Sequence, residues 1–89
     1  MKILNGFPIL NIDKITTEEE IFKLREETEE FINGIQREDK ENMKEEFFDV
    51  IQVLINIMYR YDLIEDTEKE LEKHINKLKN RNWEITKYI

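Results

Sequence analysis

The chain has 89 residues, 14 of them basic and 21 acidic, with a net charge of −7 and no cysteine. A chain of this size is one domain that buries only about 60–65% of its unfolded surface, so its own core is marginal. The acidic balance argues against a nucleic-acid partner, which needs a basic footprint, and the absence of thiols excludes disulfides and thiolate metal sites.

Residues 1–15 are apolar without helical period: Ile3, Leu4, Phe7, Ile9, Leu10, Ile12 and Ile15. Gly6 and Pro8 argue against a helix across them. An extended segment, laid over the helices or over a partner subunit, is expected. The opening MKILNGFPIL has no small-residue cleavage site, and no apolar run reaches membrane-span length. The expectation is a soluble cytoplasmic protein without a membrane partner.

Thr17 with Glu20 forms a capping box that predicts a helix over 17–37. Leu24, Thr28, Phe31 and Ile35 recur at helical spacing, with Ile21 and Ile32 widening the stripe. At 100° per residue, Glu27 lies about 60° from that stripe and Glu30 about 120°, on a flank that a neighbouring helix can shield. Gly34 is on the same flank; it either helps end the helix or leaves space beside the carboxylates.

A polar connection over 37–42 leads to a second helix over 41–61, apolar around more than half its circumference. One strip breaks the pattern: Glu46, Asp49, Asn56 and Arg60, with Val53 between them. Burying an unpaired carboxylate costs several kcal/mol, so Glu46 and Asp49 reach water or coordinate something. Thr67 with Glu70 offers another capping box, and Leu71, Ile75 and Leu78 give a third helix over 65–82. His74, Lys77 and Arg81 share one of its faces, and Trp83, Ile85, Tyr88 and Ile89 form an apolar tail.

Glu27 and Glu30, and again Glu46 and Asp49, stand three apart on their helices and so point to one side. On antiparallel neighbours the two pairs converge. Four carboxylates at one spot repel unless a cation sits among them. Hard oxygen ligands suit Mg²⁺ or Mn²⁺, which commonly serve a phosphate-bearing substrate.

The two acidic motifs, EETEEF at residues 26–31 and EEFFDV at 45–50, together with KLKNRNW at 77–83, carry a resemblance. E-E-x-x-E, a spacer and E-x-x-D on amphipathic helices resemble the MazG-like all-α nucleoside triphosphate pyrophosphohydrolases, in particular their short members. The resemblance implies one domain over 1–89, an antiparallel bundle of about three helices completed by oligomerisation to a dimer or tetramer. It implies Mg²⁺, or Mn²⁺, held by Glu27, Glu30, Glu46 and Asp49. It further implies cleavage of a (deoxy)nucleoside triphosphate to the monophosphate and pyrophosphate, in control of the nucleotide pool. Glu26 would orient or deprotonate the attacking water, with Glu30 beside it in the catalytic set. Lys77 and Arg81 would hold phosphate oxygens; Asn56 is either a polar seam or a substrate contact.

Two other readings predict different behaviour. A non-catalytic helical adaptor would show no metal response and would tolerate changes at Glu46 and Asp49. A phosphoribosyl-ATP pyrophosphatase-like enzyme shares the acidic helices, but usually carries a His in the segment where this chain has Gln52 to Asn56.

Overall fold

A computed structural model describes residues 4–89. Three helices follow one another: α1 (Thr17–Gln36), α2 (Lys40–Arg60) and α3 (Ile64–Asn80). Among the described residues there is no strand, and no helix is long and apolar enough to cross a membrane. The all-α architecture is as expected, and the helix ends are set by local chemistry. Thr16 rather than Thr17 caps α1, its hydroxyl accepting from the Glu19 N–H at 3.1 Å. Two adjacent threonines compete for this place, and the first leaves Glu20 free to turn inward. Asp39 caps α2 by accepting from the Asn42 N–H. Thr67, expected as a cap, lies inside α3 and donates to the Leu63 carbonyl at 2.7 Å.

The helices end alike. Glu38, Asp62 and Asn82 each take a left-handed conformation, with φ of 53°, 58° and 65°. The next N–H in each case reaches back five residues: Asp39 to Gly34, Leu63 to Met58 and Trp83 to Leu78. This is the Schellman closure, which satisfies carbonyls that the helix end would leave open.

The first closure folds α2 back on α1. Gly34 faces Asn42 and Met43, and Glu27 faces Glu46 and Asp49, so the two helices run antiparallel. Gly34 is a close-approach residue inside α1: a Cβ there would stand 3.0 Å from Asn42 Nδ2 and 3.1 Å from Met43 Cγ. The buried residues of α1 are Glu20, Glu27 and Gly34, seven apart. On α2 the matching row is Glu46, Val53 and Arg60, the first two buried. The seam between the helices is therefore largely polar. Val53 and Ile55 are the only buried apolar side chains among the described residues.

The apolar stripe of α1, expected to face the core, is covered only in part: Leu24 and Phe31 are half-buried, while its flanking isoleucines are not. Ile21, Ile32 and Ile35 are exposed, and so are Phe47, Phe48 and Leu54 on α2. The reason is that two helices share only one seam, and the carboxylate flank occupies it. α3 is held more loosely: it touches α2, makes no contact with α1 and buries no residue. The radius of gyration is 15.1 Å, against about 12 Å for a compact chain of this length. The accessible surface is 7744 Å², against roughly 5,600 Å² expected for a compact protein of this mass.

The N-terminal segment is pinned across α2. Residues 4–7 make a turn, with the Phe7 N–H on the Leu4 carbonyl and Gly6 at φ 94°. Leu4 N–H donates to Glu68 on α3, and Gln52 donates to the Pro8 carbonyl at 3.0 Å. A second turn brings the Ile15 N–H to the Ile12 carbonyl, and Arg60 donates to the Ile15 carbonyl. Of the extended segment expected over 1–15, residues 1–3 lie outside the described residues; the remainder crosses the helices through these two turns.

Glu38 generates a prediction. A glutamate in the left-handed region carries a penalty that glycine does not, of about 1 kcal/mol. Glu38→Gly is expected to raise the urea midpoint of unfolding by the equivalent of about 1 kcal/mol, while Glu41→Gly, inside the first turn of α2, lowers it.

Candidate metal centre

The polar seam brings like charges together. One carboxylate oxygen each from Glu27, Glu46 and Asp49 lie within 4.8 Å of one another. Glu27 and Glu46 are buried, at 5% and 8% exposure, and Asp49 opens to solvent. Glu30 stands at the rim, close enough for its charge to act on the Glu46 carboxyl. It also lines a polar cavity of about 230 Å³ with Asn33, Gly34, Arg37, Asp39 and Asn42.

Lys23 enters from one turn before Glu27. Its ammonium lies 2.9 Å from Glu27 Oε1 and 3.3 Å from Glu26 Oε1. Glu26 is thus a surface carboxylate tied to Glu27 through a shared lysine. The hydrogen bond to Lys23, and then the contact with Glu46, hold the Glu27 carboxyl below the ordinary range. The same bonds to Glu27 and Glu26 raise the Lys23 ammonium. Glu46 has no such partner. The Glu27 carboxylate beside it, then burial, then Glu30 push its carboxyl up to about 8. A neutral Glu46 beside an ionised Glu27 is how the cluster holds together at neutral pH.

One lysine does not satisfy this site. Glu27 Oε2 and Glu46 Oε2 are buried without a hydrogen-bond partner among the described residues. Orphaned carboxylate oxygens, converging and shielded on one side while Asp49 keeps the other open, match the donor set of a hard divalent cation. The residues fit Mg²⁺ or Mn²⁺. Glu20 is a further buried carboxylate, 2% exposed with Oε1 unpaired among the described residues, about two helical turns before Glu27.

The remaining candidates from sequence lie apart from this cluster. The Asn56 side-chain oxygen accepts from Gln52, which itself holds the N-terminal segment. Lys77 lies on α3 and Arg81 at its end, both exposed, and neither forms a hydrogen bond or ion pair with α1 or α2 among the described residues. Lys23 escaped the sequence reading, although its place four residues before Glu27 was the available signal. Phe7, Phe48 and Gln52 form a wall next to Asp49 that no spacing rule identifies.

A family model described as the MazG nucleotide pyrophosphohydrolase domain matches residues 15–85, well over half of the chain. Neither a curated protein nor a solved structure gives a match.

The raised Glu46 carboxyl sets a pH dependence. Its folded value, about 8, is above the ordinary 4.5, so its stabilising contribution is whole below about pH 4.5 and is lost as pH rises to about 8. In metal-free protein, Glu46→Gln removes that loss. The melting temperature of the parent should therefore fall relative to the variant between pH 5 and 8; parallel curves would contradict the assignment.

Proposed function

Because the chain belongs to the MazG nucleotide pyrophosphohydrolase domain family, we propose that it is a metal-dependent hydrolase cleaving a nucleoside or deoxynucleoside triphosphate to the monophosphate and pyrophosphate. The observation that carries this reading is the convergence of Glu27, Glu46 and Asp49 with buried oxygens left unpaired. Glu27, Glu46 and Asp49 are the residues to hold Mg²⁺ or Mn²⁺, with Glu30 completing the set from the rim. When bound, the metal neutralises charge along the phosphates and lowers the pKa of a bound water.

The protein's own groups do the rest. Lys23, paired with both Glu27 and Glu26, would remain at the site mouth beside Glu26 if Glu27 held the cation. Glu26, exposed and no more than a lysine's breadth from Glu27, is placed to orient the attacking water or accept its proton. Glu46, whose carboxyl is raised in the metal-free cluster, would have to be ionised to serve as a ligand. The chain has no cysteine and no glycine-rich phosphate loop, so thiol and P-loop chemistry have no place in this reading. Nucleotide-pool control in the cytoplasm is the role such a reaction would fill.

The assembly follows from what the chain leaves uncovered. The exposed faces of Phe47 and Leu54 on α2 and of Tyr61 at its C-terminal cap, seven residues apart, and of Ile21, Ile32 and Ile35 on α1 call for a second copy. The surplus of roughly 2,000 Å² over a compact monomer exceeds the ~800 Å² per partner of an ordinary interface. α3, free of α1 in its own chain, is the element available to bring Lys77 and Arg81 to the carboxylates of a partner chain. A dimer or tetramer is thus part of the proposal.

Two tests follow. With Mg²⁺ or Mn²⁺ and a panel of triphosphates, the product should be pyrophosphate. Alanine at Glu27, Glu30, Glu46 or Asp49 should lower kcat by several orders of magnitude, on the order of 10³ or more. Release of orthophosphate, or no turnover of any triphosphate, would contradict the assignment, and tolerance of these changes would favour the adaptor reading. For assembly, sedimentation at micromolar concentration should show no monomer. Mixing inactive Glu46→Gln chains with Arg81→Ala chains, whose KM should be raised, should restore part of the activity at low substrate; a sedimenting monomer, or no restoration, would contradict the shared site.

A further inference from the structure

A cavity of about 470 Å³ opens beside the carboxylates, and Asp49 is part of both. Its other walls are Asn5, Gly6, Phe7, Pro8, Phe48 and Gln52. One wall is α2; the other is the N-terminal turn, which is fixed at both ends by Leu4 to Glu68 and by Gln52 to Pro8. This is a constructed recess, since the turn exists only because Gly6 accepts φ 94° and because these two bonds hold it.

The lining has the chemistry of a nucleoside site. Phe7 and Phe48 contact each other, ring centroids 5.9 Å apart and tilted by 38°, and Phe48 remains about half exposed. That leaves aromatic surface on which a flat base can stack. Gln52 spends its amide nitrogen on Pro8 and Asn56, both through acceptors, which fixes the orientation of the amide. Its Oε1 has no hydrogen bond among the described residues and remains an acceptor for a base N–H. Asn5 adds donors and acceptors for the sugar or base edge. The volume is within the 300–1,000 Å³ range of small-molecule sites, and mixed aromatic and amide walls are typical of them.

We propose that this cavity holds the base and sugar of the nucleotide, with Asp49 as the point where the phosphate chain begins. The inference rests on the triphosphate reading above and gives the substrate a direction. The nucleoside lies between the N-terminal turn and α2, the phosphates cross Asp49 towards Glu46 and Glu27, and the pyrophosphate end points towards Glu30. The base is then read jointly by the segment preceding α1, through Asn5 and Phe7, and by Phe48 and Gln52 of α2.

The test uses binding, so that hydrolysis is not needed to read it. Calorimetry with Mg²⁺ compares α,β-methylene nucleoside triphosphates of each base with inorganic tripolyphosphate, on the parent and on Phe7→Leu, Phe48→Leu and Phe48→Tyr. At least one nucleotide should bind the parent tenfold or more tightly than tripolyphosphate. Each leucine variant should lose about tenfold for that nucleotide, as expected for a stacked base, and keep its tripolyphosphate affinity. Phe48→Tyr, which retains the ring, should bind like the parent. Equal affinities for nucleotide and tripolyphosphate, leucine variants that bind as the parent does, or equal losses for both ligands would overturn the inference. If the nucleotide preference and its loss are seen but triphosphates are never cleaved, the cavity assignment stands and the hydrolase reading falls.

Discussion

Everything in this structure depends on placing Glu27 and Glu46 against each other in the seam between α1 and α2. An ordinary helical hairpin of this length would put leucines there and gain stability from their burial. Here the seam row on α1 is Glu20, Glu27 and Gly34, and the aliphatic residues are displaced to the outside. Two carboxyl groups can share such a space only if one is neutral or a cation lies close. Both devices are available here: Glu27 and burial raise the Glu46 carboxyl, which favours its neutral form, and the ammonium of Lys23 lies against Glu27.

That choice has consequences throughout the chain. A seam spent on carboxylates cannot supply a core, so the stabilising apolar area must be buried elsewhere, against another copy in the proposed assembly. Gly34 lets the helices close at the turn end, and the Schellman closures at Glu38, Asp62 and Asn82 economise on loops that would otherwise need more chain. The seam thus gives up apolar burial for a charge-strained cluster, the kind of departure from local folding rules that marks a candidate site. The N-terminal segment then turns one edge of the site into a walled recess.

Much of this was legible in the sequence, and the limits have physical causes. The three helices follow from 3.6-residue periodicity, and the convergence of Glu27 with Glu46 and Asp49 follows from i, i+3 spacing on antiparallel neighbours. Side-chain periodicity reports which residues share a face but not which face a neighbour covers. For that reason Ile21, Ile32 and Ile35 are found outside while Leu24 and Phe31 of the same stripe are half-buried. The cap of α1 shifted by one residue because Thr16 and Thr17 have the same chemistry. The wall formed by Phe7, Phe48 and Gln52 depends on a contact across 44 residues of sequence, Gln52 to Pro8, which no local pattern encodes. Lys77 and Arg81 share a helical face as expected, yet their distance from the carboxylates depends on how α3 packs, and within one chain it packs on little.

The central claim is that the Glu27, Glu46 and Asp49 cluster is a divalent-metal site held open by a proton. Calorimetric titration of Mn²⁺ into the protein at pH 7, repeated in buffers of different ionisation enthalpy, measures the protons exchanged on binding. A carboxyl titrating near 8 should release about one proton per metal bound, and Glu46→Gln should release none while binding more weakly. Saturable binding with no proton release from the parent, or no binding of Mn²⁺ at all, would contradict the account.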